Sequence, residues 1–187
     1  PYFLQLPPSY PPGMLQDLDA FLARWPGETP LAVEVRHLAW FDPRHHETLQ
    51  TLLASRQMAR VVIDTRPIRD LAGDAILKGS VYERLLQARE RKPNLPLVLE
   101  PTASFTFFRY IGHPDLERNT PFLREWAGHL ADWLRQGLDA YVFCHCPDER
   151  QDPSLCRELH REVSGKIPIP PLPPARSEPG VRQESLF

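Results

Sequence analysis

Glu34 and Arg36 stand two apart in the run Leu31-Ala32-Val33-Glu34-Val35-Arg36. In a strand, successive side chains point to opposite sides, so these opposite charges share one face and the aliphatics Leu31, Val33 and Val35 share the other. A carboxylate can serve as general base or metal ligand, and a guanidinium offers a planar donor fork suited to phosphate or carboxylate. The same alternation, applied to the other apolar runs, adds Gln5, Asp64, Arg109 and His145, each near the C-terminal end of its run. It turns Val62 and Asp64 inward and Val61 and Ile63 outward, and it sets Tyr141, Phe143 and His145 opposite Val142, Cys144 and Cys146. Glu34, Asp64 and His145 are the candidate catalytic groups, with His145 suited to moving a proton near neutral pH. Gln5, Arg36 and Arg109 are the candidate substrate-binding groups, and an anion is the substrate class they fit. A structural alternative stands beside this one: Glu34–Arg109 or Asp64–Arg36 is a buried ion pair with no ligand.

Metal binding is a further candidate chemistry. His37, His113 and His145 fall at or just beyond strand ends, and with Glu34 and Asp64 they offer nitrogen and oxygen ligands for a divalent metal. No His-x-His or HExxH spacing accompanies them. Cys144, Cys146 and Cys156 are an odd number without CxxC spacing, which predicts free thiols. Cys144 and Cys146 share the face that packs on helices and are expected to be buried and inert.

Five units of strand followed by helix position these residues. Tyr2–Leu6, Leu31–Arg36, Ala59–Thr65, Phe105–Gly112 and Ala140–Cys146 read as strands, with Leu97-Val98-Leu99 competing for the fourth. Helical spacing of apolar residues recurs over Met14–Trp25, after Asp42-Pro43, after Thr120-Pro121 and after Asp152-Pro153. Proline is favoured at the first helical position, so the three Asp/Thr-Pro pairs mark helix starts. Residues 66–92 are less legible, with a helix over Val81–Arg91 in an otherwise extended connection. Strand starts about 35 residues apart suit eight units in roughly 250 residues, the dimensions of a TIM barrel. The alternatives are an open doubly wound sheet or a TIM-like barrel with five of its eight units present. The start on Pro1, directly into a strand, favours the second.

With 187 residues, 42% apolar content and a net charge of −2, the chain is long enough for one sizeable core and carries no bulk charge that would dictate a nucleic-acid partner. It shows neither a signal peptide nor an apolar run of about 20 residues, so a cytoplasmic protein without membrane association is expected. Many of its 22 prolines gather beyond Gly165, in IPIPPLPPARSEPG, so residues 1–166 are expected to be the barrel portion and 167–187 a disordered, proline-rich tail. The tail ends in Gln183-Glu184-Ser185-Leu186-Phe187, which resembles the peptide by which bacterial proteins bind the DNA sliding clamp. Gln183 would supply hydrogen bonds and Leu186 and Phe187 would fill an apolar pocket.

The segments FLQLPPSY, LAVEVRHLAWFD, FRYIGHPDLERNTPFLREWA and YVFCHCPDE, in this order, resemble the YecE-like family, the domain of unknown function 72. The resemblance runs from Pro1 to about Lys166. It implies a TIM-barrel-like fold and members of about 250 to 300 residues, so that an N-terminal portion would be absent here. It also implies that Gln5, Glu34, Arg36, Asp64, Arg109, Gly112, His113 and His145 line the barrel mouth, with His113 joining the substrate-binding group. The function expected is an uncharacterised intracellular barrel, acting as an enzyme, a hydrolase in particular, on an anionic small molecule or a phosphodiester, nucleic-acid phosphate included. The rival is a non-catalytic barrel recruited to the sliding clamp by its tail.

Overall fold

The structure is a computed structural model that describes residues 1–71, 74 and 77–174. Gln183, Leu186 and Phe187, on which the clamp-binding reading rests, lie outside the described residues. Five strands, β1 (Tyr2–Gln5), β2 (Leu31–Glu34), β3 (Ala59–Asp64), β4 (Phe105–Ile111) and β5 (Asp139–His145), form one parallel sheet in sequential order. The helices are α1 (Leu15–Leu22), α2 (Pro43–Ser55), α3 (Arg66–Arg69), α4 (Gly79–Arg91), α5 (Thr120–Arg135) and α6 (Asp152–Ser164). Leu97-Val98-Leu99 is irregular, so Phe105–Ile111 is the fourth strand without a competitor. None of the helices among the described residues is long and apolar enough to cross a membrane.

The sheet is strongly curled. Neighbouring strands stand about 4.8 Å apart, so in a flat sheet β1 and β4, with two strands between them, would be separated by about 14 Å. The rings of Phe3 on β1 and Phe107 on β4 nevertheless stack with centroids 5.3 Å apart, and Phe107 stacks in turn on Phe143 of β5 at 4.8 Å. These rings lie on the concave side of a half-barrel. Small residues on the intervening strands, Ala32 and Ala59, make room for them there.

The convex side carries the larger cores. Leu31, Val33 and Val35 pack with Leu18 and Leu22 of α1 and Leu49 and Leu53 of α2, so the helical spacing of leucines meets the outward aliphatics of β2. Trp40 is fully buried in the same cluster and donates Nε1–H to the Tyr10 carbonyl at 2.8 Å. Beyond β3, Phe108 and Tyr110 meet Leu123, Trp126 and Leu130 of α5 and Leu155 and Leu159 of α6. The first part of the proline-rich segment also belongs to this face. Ile167 and Ile169 pack against the cluster, and His160 and Arg157 of α6 meet the carbonyls of Pro170 and Pro173.

One strand faces the other way from expectation. Val62 joins the convex core, Val61 lies in the concave cluster, and Asp64 sits beneath α5. The run Val61-Val62-Ile63 is apolar on both faces because both are covered, so alternation alone gives no parity. The Asp64 carboxylate, 0% exposed, accepts the Trp126 indole N–H at 2.6 Å and is gripped by the Arg66 guanidinium at 2.8 to 3.1 Å. Asp64→Ala would strand a buried indole donor and half of an ion pair, and is expected to lower unfolding free energy by about 3 kcal/mol. Urea denaturation followed by tryptophan fluorescence checks this; an unchanged midpoint would mean that Asp64 does not hold α5 to the sheet.

Candidate functional site

At the C-terminal ends of the strands Glu34 is fully buried, and both of its oxygens are taken. Arg36 donates Nε–H to Oε1 at 2.6 Å, and Arg109, from two strands away, donates to Oε2 at 2.6 Å. Gln5 on β1 accepts from Nη2 of Arg36 at 2.5 Å, and the Arg109 guanidinium lies 5.1 Å over the ring of Phe3. Three strands thus fix two guanidiniums around a single carboxylate, leaving a surplus of one positive charge and donor edges not committed to Glu34. The residues expected from alternation on β1, β2 and β4 meet here as read.

A pocket of about 390 Å³ opens above this group, lined by Arg36, Arg109 and His145 and, on its far side, by Arg84, Arg91 and Lys92. These last three come from α4 and the residue after it, a helix inserted between β3 and β4. The buried Leu85 holds α4 down on Ile63, Ile68 and Ile111. Arg84, Gln87, Ala88 and Arg91 fall at i, i+3, i+4 and i+7, one face of the helix, and that spacing was the available signal for this wall. Burial and the positive charges of Arg109 and Arg36 hold the Lys92 ammonium below its usual range, with Glu34 partly offsetting them. A bound anion would relieve that repulsion.

His145, the last residue of β5, faces the same pocket, and its Nδ1 is 3.4 Å from Oδ2 of Asp152. Asp152 was expected only to start a helix. Gln151 is the N-cap instead, and the Asp152 side chain turns back to accept the Cys146 backbone N–H at 2.6 Å while facing His145. With Nδ1 turned toward a carboxylate, Nε2 is the atom left for exchange with a ligand.

Three expected residues stand elsewhere. Asp64 lies on the convex side, as described. Gly112 is a packing position: a Cβ there would come within 2.6 Å of Leu155 Cδ1 and 2.9 Å of Asn119 Oδ1, which leaves no room for a side chain. His113 is fully buried among the turns beside the mouth. Its Nδ1 accepts the Asp115 N–H at 3.0 Å, Asn119 bonds its backbone N–H and carbonyl, and its Nε2 is 3.6 Å from Asp74 Oδ1. Asp74 is itself clamped by Arg89 at 2.6 and 3.0 Å, which lowers its pKa. His37 accepts the Ala39 N–H and caps a short turn. Among the described residues no three His, Cys, Asp or Glu side chains gather as a metal site. All three cysteines are free thiols; Cys146 is fully buried, while Cys144 and Cys156 are only partly so.

Residues 1–178 match the family described as "Protein of unknown function DUF72". The UPF0759 protein YecE of Escherichia coli K12 is 33% identical over 191 aligned residues, which cover 100% of this chain and 64% of that protein. Its counterpart in Escherichia coli O157:H7 is 32% identical over the same shares. The chain therefore spans just under two thirds of the length of these relatives. Two crystal structures of a DUF72 family protein from Enterococcus faecalis V583 share the fold. One has a TM-score of 0.57 at 10% identity, over 94% of this chain and 62% of that one. The other has a TM-score of 0.59 at 11% identity, over 87% and 60%.

The buried His113 gives a pH signature. Burial first, and the Arg118 charge second, lower its pKa, so the folded protein keeps it neutral where the unfolded chain, with a value of about 6.5, takes up a proton. The unfolded state then binds more protons, so this contribution to stability is present above pH 6.5 and is lost as pH falls below it. His113→Gln is expected to flatten the decline of urea stability between pH 7 and pH 5. An equal slope in both proteins would mean that His113 takes up its proton as readily in the folded protein as in the unfolded chain.

Proposed function

Because the chain belongs to the DUF72 family, with its barrel-like α/β fold, we propose that its strands are part of a TIM-like barrel whose mouth binds an anionic, phosphate-bearing substrate and hydrolyses it. The concave rings of Phe3 and Phe143 are 40% and 51% exposed, as expected of barrel-interior residues that further strands would cover, and the longer relatives have chain enough to supply them. Residues 1–166 are the barrel portion in this reading. TIM barrels place their chemistry at the strand C-terminal ends, where this cluster lies.

The observation that carries the reading is the sharing of one buried carboxylate by two guanidiniums beneath a pocket lined by three more cations. Glu34 is a positioning residue here. With a guanidinium at 2.6 Å on each oxygen, it holds the two forks in place before a ligand arrives, so little ordering cost remains when the ligand binds. A tetrahedral oxyanion would take the N–H donors of Arg36 and Arg109 that bond neither Glu34 nor Gln5, with Lys92, Arg84 and Arg91 neutralising remaining charge. Donors already in place where charge develops stabilise the transition state for attack at phosphorus. His145 is the proton carrier of the cluster. Nε2 would take a proton from an attacking water or give one to a leaving oxygen, and Asp152 would stabilise the imidazolium through Nδ1.

Inorganic phosphate is the probe for binding and bis(p-nitrophenyl) phosphate for turnover. Calorimetric titration at low ionic strength is expected to show phosphate binding that weakens at least tenfold in Arg109→Ala and in Arg36→Ala and is unchanged in Arg124→Ala, an exposed control on α5. His145→Ala is expected to keep phosphate binding and lose turnover. Equal binding by the Arg109 variant would remove the anion site; equal turnover by the His145 variant would remove the proton carrier.

A further inference from the structure

On the convex side, directly behind the strand end that carries His145, lies a second group of reactive side chains that the mouth does not use. Cys144 points outward from β5 and Cys156 points inward from the second turn of α6, so the two thiols come from facing elements and lie near enough to perturb one another electrostatically. Both line a cavity of about 390 Å³ between α5, α6 and the proline-rich segment, with Leu130, Leu159 and Ile169 among its walls. Both are partly exposed, whereas Cys146, two residues along the same face of β5, is completely buried and apart from that cavity. We infer that Cys144 and Cys156 are a redox-active thiol pair, at which hydrogen peroxide is reduced to water as a disulfide forms between β5 and α6.

The two sulfurs have different roles. The neighbouring Cys144 thiol lowers the Cys156 pKa while that of Cys144 is raised, so Cys156 is the more acidic of the two and the attacking sulfur, and Cys144 is the sulfur that closes the disulfide. Burial raises the Cys146 thiol to about 12 and keeps it protonated and unreactive. The Cys156 thiolate attacks one peroxide oxygen. The O–O bond breaks, Cys156 becomes a sulfenic acid, and the departing hydroxide takes up the proton that Cys156 had released, giving one water. The Cys144 sulfur then attacks Cys156 Sγ. The S–S bond forms, the S–O bond breaks, and hydroxide leaves with the Cys144 proton as a second water. Two thiols lose two electrons in total, and one peroxide gains them.

The experiment uses the full chain. The reduced protein is treated with a slight excess of hydrogen peroxide, denatured, alkylated with iodoacetamide and analysed by mass spectrometry. Two of the three thiols are expected to be lost to alkylation, with one new cross-link joining tryptic peptides 136–150 and 151–157, and dithiothreitol is expected to restore all three. Fragmentation is expected to place the link on Cys144 and leave Cys146 alkylated. Under the same peroxide with dimedone present, Cys144→Ser is expected to carry the label on Cys156. Three alkylated thiols in the treated wild-type protein would overturn the assignment, as would a link through Cys146 or a dimedone label on Cys146. The wild-type measurement decides the matter even where a cysteine variant folds poorly.

Discussion

A carboxylate without access to water must find its compensation inside the protein, since an unpaired buried charge costs several kcal/mol. Glu34 finds it in Arg36, two residues further along the chain, and in Arg109, on a strand that a flat sheet would hold about 10 Å away. The pairing is possible only because the sheet curls. The curl in turn rests on aromatic residues meeting across small ones: Phe3, Phe107 and Phe143 stack on the concave side, where Ala32 and Ala59 leave the space. The polar mouth and the apolar layer beneath it therefore set one geometry between them. β4 joins the layers, since Phe107 and Arg109 face the inside while Phe108 and Tyr110 anchor the outside.

The end of β5 has a comparable double use. His145 faces the mouth, its neighbours Cys144 and Cys146 face the helices, and the first two turns of α6 reach both sides through Asp152 and Cys156. Asp152 and Cys156 are four residues apart, one above the other on the same face of the helix. A covalent bond at Cys156 would fix the helix turn that presents Asp152 to the imidazole, so the two proposed sites share a structural element although the sheet separates them.

Much of this was legible in the sequence, and the failures have specific causes. All five strands and the helices α1, α2, α5 and α6 were readable because apolar residues recur with the right period and proline marks three helix starts. On β1, β2, β4 and β5 the inward set could be assigned since polar Gln5, Glu34, Arg109 and His145 alternate with aliphatic, aromatic or thiol neighbours. On β3 the alternation gave no answer: Val61, Val62 and Ile63 are all apolar, and a buried Asp64 satisfied by Trp126 and Arg66 reads the same as one facing a ligand. His113 was misplaced for a related reason, since its partners Asp74 and Asn119 belong to connections whose paths no periodicity predicts. The wall of Arg84, Arg91 and Lys92 had a helical spacing to announce it. What the sequence could not convey is where that helix lies, because its position rests on the packing of Leu85 against Ile63 and Ile111.

The whole chain carries a formal charge of −2, yet Arg36, Arg84, Arg91, Lys92 and Arg109 converge on one pocket with Glu34 as the carboxylate beneath them. That pocket is therefore locally positive although the chain as a whole is not, with Asp148 beside Arg84 and Asp152 beside His145 offsetting part of the charge. Low-dielectric walls focus such a field, so the rate at which small anions arrive is governed by the local potential and not by the net charge. In the proposed reading, an approaching anion would be drawn in at this pocket whatever the sign of the net charge. At physiological salt the Debye length is about 8 Å, so this guidance acts over the last molecular diameter or two of the approach.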